Sequence, residues 1–224
     1  MTPEPLILAA LLTWGVVVGV DLVSFPQGML GRPLVAATVT GFLLGSVETG
    51  LRIGVLLECF ALDVLPVGAS RYPDYGPAAV SAVFAARVVP DQPLTGGAVL
   101  LGLVLALVAG RAMDLQRRFN GRLVQRFAAR ITVGDARILA RLQGLGLLAD
   151  ALRSLAATAL GLGLAWVAMP LLPALDSEPA LTLVVIAGAL LAALSGLFRR
   201  AGTSVPRILL GSGLVVGALL AWLT

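Results

Sequence analysis

Long apolar runs, interrupted by proline, glycine and a few charged residues, follow one another along most of this sequence. The apolar positions are continuous and do not alternate with polar ones, which is typical of helices and not of transmembrane β-barrel strands. A helix needs about 20 apolar residues to cross the hydrocarbon core of a bilayer, and several runs approach that length. The pattern therefore predicts an all-α, polytopic integral membrane protein.

The first half of the chain combines long apolar runs with a short one. A first helix is predicted at about residues 6–22. The run at residues 34–45 has about a dozen residues, a length that suits a re-entrant or broken element better than a complete span. Residues 48–52 are interpreted as a hinge, in which Glu48 and Arg52 have the i,i+4 spacing of an ion pair. Further apolar helices are predicted at residues 53–67, 76–89 and 95–113.

An arginine-rich stretch separates the two halves. In residues 114–141 arginines recur every four residues on one side and apolar residues on another, which predicts an amphipathic surface helix. Because arginine-rich loops of membrane proteins face the cytoplasm, this helix is expected there. A solvated helix that contacts nothing specific is the alternative. The predicted organisation is a first membrane half at 1–113 with broken helices and the candidate site, a basic cytoplasmic helix at 114–141, and a second membrane half at 142–224.

Composition narrows the classes of function. Only 12% of the 224 residues are charged, against about 25% in soluble domains. The chain has one cysteine and no histidine, which excludes an internal disulfide and argues against zinc or haem sites. No phosphate-binding glycine loop with lysine is present, which argues against a nucleotide site. No cofactor or metal is therefore expected from these two observations together. The arginines are not interleaved with aromatic stacking residues, so nucleic-acid binding is not expected either.

One stretch, LLECFALDVLPVGASRYPDY at residues 56–75, holds ionisable groups within apolar surroundings. A carboxylate in a membrane helix costs about 3 kcal/mol on insertion scales and is by default functional. Glu58 and Asp63 are five residues apart, which places them on different sides of a helix. Glu58 is predicted to face a cavity, and Asp63 to lie at an interface or a cap. A contact between helices is the alternative for Glu58.

The same stretch ends in a predicted helix break at residues 66–74, the kind of backbone that transporters keep at binding sites. Carboxylates and amides beside aromatic rings suit sugar hydroxyls, because the polar groups accept and donate hydrogen bonds and a ring covers the C–H side. Asp74 is predicted to be a second contact. Arg71 is assigned a structural or secondary role, and an Arg71–Asp74 pair at the membrane boundary is the alternative.

An ordered set of short motifs is similar to the mannose/sorbose-type enzyme IIC of the phosphotransferase system (PTS). The motifs, within about residues 30–85, are Arg32-Pro33-Leu34, Gly41 to Gly45, Thr49-Gly50-Leu51, Leu57-Glu58, Gly68 and Pro73-Asp74. The resemblance implies that Glu58, Pro73 and Asp74 bind substrate. Gln27, in the broken region before the first motif, is added as a sugar-contact candidate. Ser46 departs from the aspartate that the family often has there.

The resemblance also implies a role and partners. A IIC subunit is a multi-pass permease of the bacterial inner membrane that is not itself an enzyme. It acts with the membrane subunit IID and with cytosolic IIB and IIA, and IIB phosphorylates the translocated sugar. A homo-oligomer in the lipid bilayer is also expected. Two alternatives stay open: an ion-gradient-driven secondary transporter with Glu58 or Asp63 as the proton carrier, and a non-transporting scaffold or sensor that docks cytosolic partners on the basic helix.

Overall fold

The computed structural model describes residues 4–62, 64, 71–88, 95–171 and 179–200, with the side chains of 171, 179, 180 and 196–200 excepted. Within these ranges the chain is helical and contains no strand, which confirms the predicted all-α class. The helices are α1 (Pro5–Asp21), α2 (Pro33–Leu43), α3 (Val47–Ala61), α4 (Tyr75–Val88), α5 (Thr95–Arg126), α6 (Ala128–Thr132), α7 (Ala136–Ala168) and α8 (Pro179–Arg200), with a 3-10 turn at Met169–Leu171 after α7.

Among the described residues, two helices are long and apolar enough to cross a membrane by length and composition, α5 with 32 residues and α7 with 33. At 1.5 Å per residue each is about 50 Å long, well beyond the roughly 30 Å of a hydrocarbon core. Shorter apolar helices accompany them, at Pro5–Asp21, Pro33–Leu43 and Leu181–Ser195. Both long helices are therefore long enough to extend beyond the hydrocarbon core of a bilayer at the end where their arginine residues begin.

Helices α2 and α3 form a short antiparallel hairpin. With 11 and 15 residues they fall short of the roughly 20 residues of a complete span, as expected for a re-entrant element. The turn uses Gly45 in the left-handed region, with φ 69°. Glu48 and Arg52 form the predicted i,i+4 ion pair. The predicted hinge at 48–52 is wrong, because α3 begins at Val47 and is continuous through it.

Helix α4 lies at the centre of the fold. All twelve residues from Tyr75 to Ala86 are buried, and α4 packs against α1, α2, α3, α5 and α7. Six of its 14 residues are alanine or glycine, and small side chains let five neighbours approach one helix closely. The candidate site described below begins just before the first turn of this helix.

Helix α1 crosses α7 through small residues spaced four apart on both helices. A Cβ atom at Gly15 would overlap with Thr158, and one at Gly19 would overlap with Ser154. Such small-residue motifs let helix backbones approach closely in membranes, where burial from water does not drive helix association. The crossing fixes the carboxyl end of α1 against the middle of α7.

The arginine-rich stretch is not one helix, which corrects the boundaries predicted for residues 114–141. It comprises the last turns of α5, all of α6 and the first turns of α7. Gly134, at φ 76°, ends the α6 segment. Asp135 then caps α7 by accepting hydrogen bonds from the backbone N–H groups of Arg137 and Ile138, at 3.0 and 3.2 Å. The predicted boundaries at 113 and 141 thus fall inside α5 and α7, and residues 201–224 of the predicted second membrane half lie outside the described residues.

Candidate functional site

A polar cavity of about 290 Å³ opens at the end of the fold where α1, α5 and the segment before α4 meet. We call it the polar cavity. Its lining combines a hydroxyl, a phenol, three side-chain amides and a guanidinium, which together can donate and accept several hydrogen bonds. The lining residues are Leu22, Val23, Ser24, Gln27, Tyr72, Met113, Gln116, Arg117 and Asn120.

The loop between α1 and α2 supplies one wall and is held by buried carboxylates. Asp21, 2% exposed, accepts hydrogen bonds from the backbone N–H groups of Gly28 at 2.6 Å and Gly31 at 3.0 Å. The Ser24 hydroxyl donates to Asp150 of α7 at 2.6 Å. Gln27 lies between these anchors with φ 58°, an uncommon conformation for a residue other than glycine. The anchors hold the backbone that presents Gln27.

Helix α5 supplies the opposite wall. Arg117 donates a hydrogen bond to the Tyr72 hydroxyl, and its guanidinium carbon lies 4.7 Å from the centroid of the Tyr72 ring. This contact orients the ring at the rim. The Gln116 Oε1 atom is buried and has no hydrogen-bond partner among the described residues. A buried amide oxygen without a partner is costly, so it is a natural acceptor for a ligand hydroxyl.

A buried ionic network lies beside the polar cavity and connects its walls. Arg153 of α7, whose side chain is 7% exposed, donates to Asp74 Oδ2 at 2.5 Å and to Asp150 Oδ1 at 2.8 Å. Both carboxylates are fully buried. Arg153 also donates to the Gly19 carbonyl of α1, at 3.4 Å. One guanidinium thus joins α1, α7 and the residue that precedes α4, while Asp150 also holds Ser24.

Asp74 occupies the junction between the helix break and α4. Its backbone N–H donates to the Ala106 carbonyl of α5 at 2.9 Å, and its side chain binds Arg153. Its second carboxylate oxygen, Oδ1, is buried without a hydrogen-bond partner among the described residues. Asp74 is not part of the polar-cavity lining. In this structure Asp74 therefore acts through Arg153, which contacts the helices around the polar cavity.

The family model described as "PTS system sorbose-specific IIC component" (EII-Sor) matches residues 6–197. The chain belongs to this family. The match includes α1, the α2–α3 hairpin, and both long helices that carry the polar cavity and the ionic network. It confirms the resemblance to the mannose/sorbose-type enzyme IIC that the short motifs indicated.

Curated relatives match parts of this IIC chain. The sorbose-specific EIIC component of Klebsiella pneumoniae is 35% identical over 103 residues, which cover 46% of this chain and 33% of that protein. The fructose permease IIC component of Bacillus subtilis is 35% identical over 89 residues, covering 40% and 32%. The mannose-specific EIIC component of Escherichia coli K12 is 34% identical over 84 residues, covering 38% and 30%. The chain thus spans about a third of the length of these relatives.

Two solved structures share the fold. One, titled "Structure of membrane protein", gives a TM-score of 0.72 at 20% identity and covers 99% of this chain and 95% of that one. The other is the cryo-EM structure of the mannose transporter ManYZ in complex with microcin E492, with a TM-score of 0.57 at 19% identity and coverage of 100% and 96%. The fold of this IIC chain is therefore that of a helical membrane protein.

Glu58 makes helix-to-helix contacts in this structure. It forms an ion pair with Arg32, the residue that precedes α2, and accepts a hydrogen bond from the Leu34 N–H at 3.1 Å. A carboxylate at the first N–H groups of a helix complements the helix dipole. Glu58 thus joins α3 to the start of α2, as the alternative interpretation held. Its contact with a sugar stays a prediction.

The remaining predicted residues lie in different places. Gln27 lines the polar cavity. Pro73 and Arg71 line a second cavity on the other side of Tyr72. Arg71 pairs with Asp114 of α5, with 3.1 Å between Nε and Oδ2, so the alternative of an Arg71–Asp74 pair is wrong. Asp63 and residues 66–70 of the predicted break at 66–74 lie outside the described residues.

The sequence analysis missed most of the residues that build the site, among them Asp21, Gln116, Asp150 and Arg153. In this list the first residue holds the loop, the second lines the polar cavity, and the last two form the ionic network. The signal for the last two was visible, because Asp150 and Arg153 have i,i+3 spacing inside the apolar run LLADALRSLAATA. Charged residues inside membrane helices usually pair with one another, and these two do so. Asp21 stood at the end of a predicted helix, where a polar residue is unremarkable.

Proposed function

We propose that this chain is the membrane-embedded permease subunit of a mannose-family PTS, and that its polar cavity contacts the translocated sugar. The family match over residues 6–197 is the observation that carries the proposal. The expected setting is the bacterial inner membrane, with IID as the membrane partner and IIB, supplied by IIA, as the phosphoryl donor. Phosphoryl transfer belongs to these partners, and this chain is not the enzyme.

The chemistry of the polar cavity suits a monosaccharide. Gln116 offers a buried acceptor, without a hydrogen-bond partner in the part of the chain that the structure describes, for a sugar hydroxyl. The Gln27 and Asn120 amides can both donate and accept. The Tyr72 ring provides an apolar face for sugar C–H groups. Relatives named for sorbose, fructose and mannose favour a hexose as substrate.

The ionic network has a positioning role in this proposal. Arg153 holds Asp74 and Asp150, and Asp150 holds the loop that carries Gln27. We assign Gln27 and Gln116 as direct sugar contacts and Asp74 as a residue that acts through Arg153. Alternating exposure of the sugar would then require the loop and the Tyr72 segment to move relative to α5.

The test is Gln116→Leu in a reconstituted system with IID, IIB and IIA, using phosphoenolpyruvate-dependent uptake of labelled mannose, sorbose and fructose. Loss of one buried hydrogen bond to a sugar is expected to raise the half-saturating sugar concentration about tenfold, equivalent to about 1.4 kcal/mol. Gln125→Leu, at an exposed position of α5 outside the cavity lining, is the matched control and should leave uptake unchanged.

Other outcomes reject parts of the proposal. Uptake that persists without phosphoenolpyruvate and collapses with an uncoupler would identify a gradient-driven transporter. Binding of IIA or IIB to the arginine-rich stretch at residues 114–141 without uptake of any sugar would identify a scaffold or sensor. Equal uptake by Gln116→Leu and Gln125→Leu would keep the subunit assignment but place the sugar outside the polar cavity.

A further inference from the structure

A second cavity, of about 310 Å³, lies on the other side of Tyr72 from the polar cavity. We call it the basic cavity. Segment 71–73 and one face of α5 form its walls, at the end of the fold where the arginine-rich stretch begins. The lining residues are Arg71, Tyr72, Pro73, Leu107, Gly110, Arg111, Asp114, Leu115 and Arg118. The sugar-binding role proposed above does not use this cavity.

The basic cavity carries an excess of positive charge. Arg71, Arg111 and Arg118 line it together with one carboxylate, Asp114, which leaves a formal charge of +2. Arg111 and Arg118 are seven residues apart and therefore share one face of α5. Neither has an ion-pair partner in the part of the chain that the structure describes. Their guanidinium groups are available to an anion.

Arg71 adds a third donor from the opposite wall. Its Nε pairs with Asp114 Oδ2 at 3.1 Å, while its side chain is 75% exposed. The pair orients the guanidinium and leaves its two terminal nitrogens without a hydrogen-bond acceptor among the described residues. The walls approach closely because α5 has glycine here: a Cβ atom at Gly110 would lie 2.5 Å from the Tyr72 carbonyl oxygen.

The rim of the basic cavity is apolar. Leu107 and Leu115 line it with 58% and 66% of their surface exposed. Val104 and Val108, also exposed, continue this surface along α5 into the part that is apolar enough to span a membrane. A cationic pocket beside an exposed aliphatic surface has the character of a site for a molecule with an anionic head and hydrocarbon chains.

We propose that the basic cavity binds a phosphate group, and that the source is the headgroup of an anionic membrane phospholipid whose chains lie on Leu107 and Val104. Guanidinium groups bind phosphate oxygens in bidentate fashion, which fits three arginines around one small cavity. A free phosphate compound shares the headgroup chemistry but gains nothing from the aliphatic rim. The exposed leucines therefore favour the lipid.

The test uses the purified 224-residue chain in neutral detergent. Thermal unfolding is followed while phosphatidylglycerol, phosphatidylcholine or sodium phosphate is added, and retained lipid is counted by native mass spectrometry. We expect phosphatidylglycerol to stabilise the protein more than phosphatidylcholine, with sodium phosphate having little effect. The double variant Arg111→Gln/Arg118→Gln should need about tenfold more phosphatidylglycerol for the same stabilisation.

The matched control is Arg122→Gln/Arg126→Gln, which removes the same charge from exposed positions of α5 outside the cavity lining. It should keep the response of the unmodified chain. Equal weakening in both double variants would show general attraction to a basic surface and overturn the proposal. Stabilisation by sodium phosphate alone would keep the phosphate site and reject the lipid as its source. If the double variant fails to fold, Arg118→Gln is measured in its place, against Arg122→Gln.

Discussion

Arg153 and Arg71 both pair with aspartate near the helix break, yet their surroundings differ. Arg153 is 7% exposed in its side chain and binds two fully buried carboxylates. Arg71 is 75% exposed and binds Asp114, which is itself 19% exposed. Arg153 lies in the packed interior between α1, α4 and α7, and Arg71 lies at the exposed basic cavity beside α5.

This difference decides what each arginine can do. Two charges removed from solvent depend on each other, because a buried charge left without its partner costs several kcal/mol. An exposed pair contributes little and is easily exchanged for another partner. Arg153 therefore holds helices together. Arg71, in contrast, can exchange its partner for a ligand, as can be expected of the basic cavity that it lines.

The largest expected effect comes from breaking the interior network. Arg153→Met keeps much of the side-chain volume but leaves Asp74 and Asp150 buried without their cation. We expect the free energy of unfolding to fall by about 3–5 kcal/mol. Thermal unfolding in detergent should show the loss as a strongly lowered midpoint or as failure to purify a folded chain.

The control is Arg137→Met, on the same helix at an exposed position. It should change stability by less than about 0.5 kcal/mol, as for most surface substitutions. If both methionine variants unfold at the same temperature, the interior network does not stabilise this fold. Asp74→Asn/Asp150→Asn in the Arg153→Met background should recover part of the loss, because amides are cheaper to bury than carboxylates.

The second contrast is between a glycine at a packed crossing and a glycine on an open helix face, both within apolar helices. Gly19→Ala places a methyl group against Ser154, where no space exists. Overpacking of this kind costs about 1–3 kcal/mol. Gly163→Ala, where no atom of the described residues lies within 4 Å of the added Cβ, should be neutral or stabilising by up to about 1 kcal/mol.

Both glycine variants are measured by the same thermal unfolding assay. Opposite signs are expected, with Gly19→Ala lowering the midpoint. If Gly19→Ala were as stable as Gly163→Ala, the close approach of α1 and α7 would not be required. Sugar uptake by the two variants would add a functional measurement, because the α1–α7 crossing positions the loop that lines the polar cavity.

The sequence predicted the helices where local chemistry sets their limits. Pro33 begins α2 because its fixed φ suits the first helical position, and the predicted run began one residue later. The central helix was predicted at 76–89 and is observed at Tyr75–Val88. The boundaries of these helices follow from the apolar run and the residues that flank it, and they do not depend on contacts with other helices.

The sequence could not predict features that depend on distant neighbours. The i,i+4 pair of Glu48 and Arg52 was correct, but it marked an exposed helix face and not a hinge. Asp74 was predicted to contact the substrate, which stays a prediction, while its partner Arg153 lies 79 residues away and was not identified. Pairing across helices is set by packing, and a single sequence gives no register between helices.

Glu58 lies between the two environments of the comparison, and it gives the smallest expected effect. Its side chain is 17% exposed and its partner Arg32 is 37% exposed. Because solvent reaches this ion pair, its coupling energy should be about 0.5–1 kcal/mol. A double-mutant cycle of Glu58→Gln and Arg32→Gln measures it, and the glutamine keeps an acceptor for the Leu34 N–H.

The same two variants separate the structural role of Glu58 from sugar binding. If Glu58 only joins α3 to α2, both variants lower stability alike and leave the half-saturating sugar concentration unchanged, which is the result that the contacts with Arg32 and Leu34 favour. A rise of about tenfold in Glu58→Gln, without a change in Arg32→Gln, would require a direct hydrogen bond from sugar to the carboxylate. The Glu58–Arg32 ion pair would then have to open during transport. In that case Glu58 would resemble Arg71, whose exposed ion pair can exchange its partner for a ligand.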